Sequence, residues 1–442
     1  MPATVSSQIL LRADRGPILN SLATFANKPA DQWLGRSHPA ATGSLPLKWN
    51  RVNQMRPQNI VDALAAAAPN HCIDGWSYVS RATSAFVVGD LHAARHLSYY
   101  AQLRAALSIL GHLGIGIFNG INFVIDAHGG VSRLDPGGPN GLGTHKAVWD
   151  VLRKWVAEPS AARAFLRMVK VGNTTLEDCL DAIWPGAITP AVAGKLIAGW
   201  GLDLQRGKDD HKFRNISSYN PQALAPMPDD ANGRLNFVEH IWILFEPTSA
   251  SRFDMLDRHL LRAMLWEQHL IVNQHNGAGP PPPYAGGSIA ARYDELPASV
   301  RQIASKDFLT AQLEPDEPEL IQCARSIASP AMAEHMLARA LLLLRAATAF
   351  TITNFADAGI AGGSGKLRRW IDPVAVARGF WAPTAALADP ADLWEDVRVA
   401  LEDLADSKRT APTSLNDWIT KQRNGFPHIS EAERIGVWSL AL

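Results

Sequence analysis

Asp90-Leu-His92-Ala-Ala-Arg-His96-Leu-Ser-Tyr99-Tyr100-Ala-Gln-Leu103-Arg-Ala-Ala-Leu107-Ser-Ile-Leu110-Gly111 carries the signals that decide the fold class. Asp90 has the side chain of a helix cap, able to accept backbone N–H groups of the first turn. Leu103, Leu107 and Leu110 then recur at helical spacing on one side, and Gly111 ends the run. The same grammar recurs along the chain. Thr189-Pro190, Ser329-Pro330 and Asp389-Pro390 each pair a capping residue with Pro at the first helical position. Behind Asp389, Leu393, Val397, Leu401 and Leu404 form an apolar stripe. Phe253, Leu256, Leu260, Met264 and Ile271 form a second, which Asn276-Gly277 ends. The expected fold is mainly α.

Strand signals are few. The run from Ile115 to Asp126 alternates, and His128-Gly129-Gly130 can turn it back through Val131 to Leu134 as a small hairpin. Trp242 to Phe245 and Phe350 to Phe355 are short runs that fit either a strand or a helix. Pro226 to Gly233 reads as a surface connection. The clearest boundary is Asn276 to Gly287, where four consecutive prolines are flanked by glycines. The expected organisation is an N-terminal segment (1–88), a helical bundle (89–275), the Pro/Gly-rich linker (276–287) and a second helical lobe (288–442).

Composition narrows the function classes. The chain has 442 residues, with 42 Lys plus Arg against 42 Asp plus Glu, a formal net charge of zero. Such a chain has no global field to draw it onto nucleic acid or an anionic membrane, so any such contact needs a local patch. Cys72, Cys179 and Cys323 lie far apart without metal-ligand spacing, which points to buried thiols. No signal-peptide pattern opens the sequence. The most apolar run, Leu337 to Phe350, is interrupted by Arg339 and Arg345 and is short for a bilayer. A cytoplasmic location without membrane association is expected.

Several motifs invite chemistry. His92 and His96 stand at i and i+4, a metal-ligand spacing, but Ala93 occupies the place of the Glu that a zincin needs. Only remote groups such as His112, Asp126 or His128 are left to complete a site. Gly362-Gly-Ser-Gly-Lys366 resembles a phosphate loop, yet Ile360 and Leu367 stand where the pattern needs glycine and a hydroxyl. The basic cluster Lys366, Arg368 and Arg369 beside Trp370 remains as a candidate for phosphate contact and base stacking. The Gly-rich run Asp135 to Gly143 leads into Thr144, a possible cap for a helix carrying Trp149, Leu152 and Trp155. No G-x-S-x-G elbow is present.

Two stretches resemble the HEPN-type proteins, helical bundles of toxin and antiviral systems. The first is Ala93 to Ile115, with its Tyr-Tyr-Ala step and glycine end. The second is His211-Lys212-Phe-Arg214-Asn215-Ile-Ser-Ser-Tyr219-Asn220-Pro221, similar to the family's Arg-polar-x(n)-His signature. The likeness spans about residues 89–274. It implies metal-independent RNA cleavage, in which a His handles the ribose 2′-hydroxyl proton and an Arg steadies the phosphate, leaving a cyclic phosphate. Asn220 stands where the family carries its His, and His211, three residues before Arg214, is the available proton carrier on the same helical face.

The bare Arg-x(4–6)-His spacing occurs five times, at Arg206/His211, Arg234/His240, Arg252/His259, Arg262/His269 and Arg423/His428, against about three expected by chance. Context therefore has to choose among them. The expected catalytic set is Arg214, His211, Asn215, Tyr219 and Asn220. Lys212, Lys366, Arg368, Arg369 and Trp370 are the expected substrate contacts. RNA is the expected partner, no cofactor is needed, and the protein is expected to be a homodimer or part of a multi-protein complex. The alternative is an inert helical adaptor or sensor subunit, for which fourteen tryptophans could furnish contact surface.

Overall fold

Pro57 opens a long helix at the position where its missing N–H costs nothing, and the chain stays helical to Val87 (α1). Asp90 then caps the helix Leu91–His112 (α2) by accepting from the Ala93 N–H at 3.0 Å. Between them Gly89 takes φ 83°, which folds α2 back against α1. The computed structural model describes residues 5–41, 45, 48–118, 120–135, 142–199, 206–223, 230–248, 252–275, 287–313, 316–328, 331–409, 420 and 424–441.

Past α2, Gly114 adopts φ 82° and starts a three-stranded antiparallel meander. Ile115–Phe118 (β1) pairs with Ile121–Ile125 (β2), which pairs with Val131–Arg133 (β3). The run expected as one strand from Ile115 to Asp126 is thus two, reversing at Gly120 with φ 88°. The return strand at Val131 is as expected.

Thr144–Ala157 (α3) and Arg206–Tyr219 (α4) pack beside α2. Gly143, one residue before Thr144, takes the cap position. The helix Ala333–Asp357 (α5) packs along both α1 and α2, and these three form the centre of the molecule. Phe350 to Phe355 lies within α5, and Trp242 to Leu244 closes the helix Ala231–Leu244, so neither short run is a strand. Thr189 accepts from the Val192 N–H ahead of Pro190–Gly199, and Asp389 caps a short 3-10 turn before Leu393–Arg409. Ser329-Pro330 falls outside the described residues, and α5 begins at Ala333, behind Met332.

α5 is long and apolar enough to cross a bilayer by length and composition alone, and 89% of its most apolar window is buried within the protein. Its arginines explain the interruption in that run. Arg339 and Arg345 turn inward to Asp210 and Asp257 in buried bidentate pairs. One hydrophobic cluster extends from Val5 to Ala441. It crosses the expected boundaries at 88 and 288, because the 1–88 segment supplies α1 and the C-terminal lobe supplies α5. The linker expected at 276–287 lies outside the described residues but for Gly287, which opens Gly287–Arg292. Residues 226–229 of the loop expected at 226–233 lie outside them as well, and Ala231 already begins a helix.

Candidate functional site

Asp210 sets the rotation of α4. Its carboxylate takes two bonds from Arg339 of α5, at 2.6 and 2.8 Å, and a third from Gln102 of α2 at 3.0 Å. With α4 pinned there, His211, Arg214, Asn215 and Ser218 fall at i, i+3, i+4 and i+7, one face directed at α2 and α3. Opposite them α2 presents His96, Tyr99 and Tyr100, and α3 presents His145 from its first turn.

The contacts are specific. Arg214 donates to the Tyr100 hydroxyl and, at 2.7 Å, to Asn215 Oδ1, and its guanidinium stands over the Tyr100 ring 4.9 Å from the centroid. The rings of His211, Tyr99 and His145 form a triangle, with His211 5.3 Å from Tyr99 and 5.2 Å from His145, and Tyr99 and His145 5.7 Å apart. His211 is nearly parallel to His145 at 5°. The His145 Nδ1 is 3.0 Å from the Tyr99 hydroxyl, which also accepts from Trp149 Nε1 at 3.3 Å. Tyr99 is fully buried, so its proton has His145 Nδ1 as the acceptor at hand, leaving the His145 N–H on Nε2. On the other flank Ser218 donates to the Arg214 carbonyl and so accepts from His96 Nδ1 at 2.6 Å.

Electrostatics keep these imidazoles neutral. Burial, then the charge of Arg214, holds His211 and His96 below the ordinary value. His145 is lowered to about 4 by burial, then by His211 and Arg214. Burial raises the Tyr99 hydroxyl to about 12. The result is a half-buried assembly of three unprotonated imidazoles around one guanidinium. It can accept a proton and steady an anion, two operations needed for phosphoryl or acyl transfer.

The expected site residues divide sharply. His211, Arg214 and Asn215 come together. Tyr219 is 80% exposed at the end of α4, and Asn220 lies just past it with its N–H on the Ile216 carbonyl, so neither reaches the imidazoles. Lys212 is exposed on the neighbouring face. The cluster at 366–370 is spent on structure. Lys366 donates to the Gly359 carbonyl, Arg368 pairs with Asp372 at 2.6 Å, and Arg369 donates to the Asn27 carbonyl. Trp370 is only 2% exposed, packed between Trp33 and Phe355, which leaves no ring face for a base.

The His92/His96 pair gathers no further ligands, and among the described residues no cluster of three or more metal-ligating side chains exists. His112 is buried against Thr351 and Asn354, and Asp126 pairs with Arg12. Asp135 is buried and bonded to Asn122 and to the Leu142 N–H, while residues 136–141 of the Gly-rich run lie outside the described residues.

Sequence reasoning missed Tyr99, Tyr100 and His145 as site members, and weighed His96 only for its metal-ligand spacing with His92, without assigning it a role. One signal was available. His96 and Tyr100 sit at i and i+4, polar side chains at the head of the same helical face that Leu103, Leu107 and Leu110 continue. No family model, curated protein or solved structure matches the chain, so the chemistry of the site has to be argued from its own geometry.

Proposed function

We propose that the protein is a metal-independent RNA endonuclease of a bacterial antiviral or toxin-type system, acting as a dimer. The observation that carries this reading is the pairing of His211 with Arg214 on one face of α4, with the imidazole unprotonated at neutral pH and half open to solvent. A general base must be unprotonated to work, and a guanidinium is suited to a phosphate. In this scheme His211 takes the ribose 2′-hydroxyl proton and the freed oxygen attacks phosphorus. The P–O5′ bond breaks, the 5′-oxygen leaves with a proton from water, and a 2′,3′-cyclic phosphate remains. Arg214 exchanges its bonds to Tyr100 and Asn215 for the phosphate oxygens. Asn215 and the stacked His145 hold the His211 ring, and Lys212 draws the backbone in.

A specific observation favours a second reading, an inert helical adaptor of a multi-protein complex. Arg214 is only 7% exposed and both terminal nitrogens already have partners, so it can serve purely to tie α4 to α2. Against this reading, no tryptophan among the described residues is exposed to furnish the contact surface it calls for.

The test is RNA cleavage by purified protein in EDTA, with His211→Ala, His145→Ala and Arg214→Lys alongside. The nuclease reading expects cyclic phosphate ends and a loss of roughly 100-fold or more in His211→Ala. Arg214→Lys keeps the charge but loses the fork, so it should fold normally and cleave poorly. Because His211 is held below its ordinary value, activity should fall with acidification as the base protonates, with a midpoint on the acid side of a free imidazole's. Absence of cleavage by a normally folded wild type would move the assignment to the adaptor.

A further inference from the structure

The three imidazoles of the cluster are held in different hydrogen-bonding states. Tyr99, fully buried on α2, accepts from Trp149 Nε1 at 3.3 Å and spends its own proton on His145 Nδ1 at 3.0 Å. His145 is thereby fixed with its N–H on Nε2, and that nitrogen has no hydrogen-bond partner among the described residues. His96 is the reverse case. Ser218 accepts from its Nδ1, so its Nε2 carries a lone pair. At His211 the Asn215 amide, whose oxygen is taken by Arg214, turns its nitrogen towards Nε2 at 3.4 Å, so this nitrogen carries a lone pair as well. His145 therefore sets an open, tautomer-fixed Nε2–H on the ring next to the base, with centroids 5.2 Å apart and planes 5° from parallel.

We propose that His145 is a catalytic residue, donating a hydrogen bond from Nε2 to a non-bridging oxygen of the reacting phosphate. This rests on the nuclease reading above.

Charge builds on the non-bridging oxygens as the 2′-oxygen adds to phosphorus, and a donor fixed in advance gains strength as it builds. Arg214 can grip one side of the phosphate, and His145 supplies a second, uncharged contact. Tyr99 and Trp149 do the fixing, because in its other tautomer the ring would meet an anion with a lone pair. Burial, then His211 and Arg214, lowers His145 to about 4, so it works as a neutral donor and not as an acid. It neither gains nor loses a proton, and the leaving 5′-oxygen still takes its proton from water. The ring stands on the first turn of α3, whose positive dipole end also disfavours protonation.

The test uses a short single-stranded RNA that the wild type cleaves, made with sulfur at either non-bridging position of the scissile phosphate, or in place of the 5′-oxygen. His145→Phe, His145→Gln and Tyr99→Phe are compared with His211→Ala, after thermal unfolding has shown each to be folded. His145→Phe should lower kcat roughly 100-fold, with and without the 5′-sulfur, whose thiolate leaves without a proton. His145→Gln, with an amide N–H near the place of Nε2, should recover much of that loss, and Tyr99→Phe should cost about tenfold. Sulfur accepts hydrogen bonds poorly, so the wild type should discriminate against one non-bridging isomer, and His145→Phe should lose that discrimination. Nitrogen NMR of the free protein, assigned by the signals missing from His145→Phe, should show His145 protonated on Nε2 alone. A loss that the 5′-sulfur abolishes would make His145 an acid, and unchanged discrimination between the isomers would make it a scaffold. Either result, or a proton on Nδ1, overturns the proposal and leaves the nuclease intact. A wild type that cleaves no RNA removes the nuclease reading and this proposal with it.

Discussion

His112 shows how much a single side chain can commit. It is fully buried, with Nε2 3.0 Å from the Thr351 hydroxyl and Nδ1 3.1 Å from the Asn354 amide nitrogen. Thr351 gives its own proton to the Ala347 carbonyl, so it accepts from Nε2–H, and Nδ1 must receive the amide. A second proton on the ring has nowhere to bond, and burial lowers the pKa from 6.5 to about 3. His71 is lowered similarly, by burial and then by Arg104, which donates to its Nδ1 at 2.9 Å. The unfolded chain therefore binds protons that the folded one refuses. The stability from each site is intact above pH 6.5 and is lost as pH falls towards 3, at about 1.4 kcal/mol per pH unit. Urea unfolding from pH 7 to 5 should show His112→Gln with a shallower pH slope than wild type by about one proton. Equal slopes would show that His112 is not the group responsible. Little of this was legible in the sequence. His112 stood there as one of several remote possible metal ligands, because its partners come from α5, more than two hundred residues away.

At the scale of the element, local signals and tertiary contacts divide the credit. α2 was readable because Asp90 and the leucine spacing agree with one another, although the glycine that ends it is Gly114 (φ 82°) and Gly111 stays inside the helix. The split between β1 and β2 was readable too, since Asn119-Gly120 is the strongest short hairpin signal, but the uninterrupted alternation around it masked the turn. The face of α4 followed from its spacing. Its orientation did not, because that depends on Asp210 meeting Arg339 across the chain. Removing one partner of such a buried pair strands the other charge, so Asp210→Ala should cost about 3–5 kcal/mol in thermal or urea unfolding. A double variant replacing both Asp210 and Arg339 by apolar residues should recover much of that loss. Gly75 tests the packing of α1 in a different way. A Cβ there would come 2.5 Å from Leu344 and 3.4 Å from the Ala101 carbonyl. Gly75→Ala should therefore destabilise the protein by about 1–3 kcal/mol, although alanine favours a helix by about 1 kcal/mol. A neutral result would mean that α1 and α5 are less closely apposed than this.

The whole molecule departs from the domain plan that the prolines at 280–283 suggest. A composition shift marks a connection but cannot tell whether the segments on either side share a core. Here they do. Trp242 packs against Trp394 and Trp438 with centroids 6.1 and 6.0 Å apart, and its indole N–H reaches the Ile429 carbonyl at 2.8 Å. Trp76 of α1 donates to Thr348 of α5 at 3.0 Å. A protease site inserted within 276–287 should thus yield two pieces that stay together through gel filtration, and residues 288–442 expressed alone should lack a cooperative unfolding transition. Independent folding of that fragment would restore the two-lobe organisation.

The chain order of the three central helices has a further consequence, in time rather than in space. α1 and α2 leave the ribosome early, whereas α5, which covers them both, is made only after position 333. At about 5–20 residues per second, the α1–α2 hairpin waits some tens of seconds with Trp76 and its neighbouring apolar side chains uncovered. During that interval the nascent chain is a substrate for chaperones. Slowed translation between α2 and α5 should lower the soluble yield without altering the finished protein.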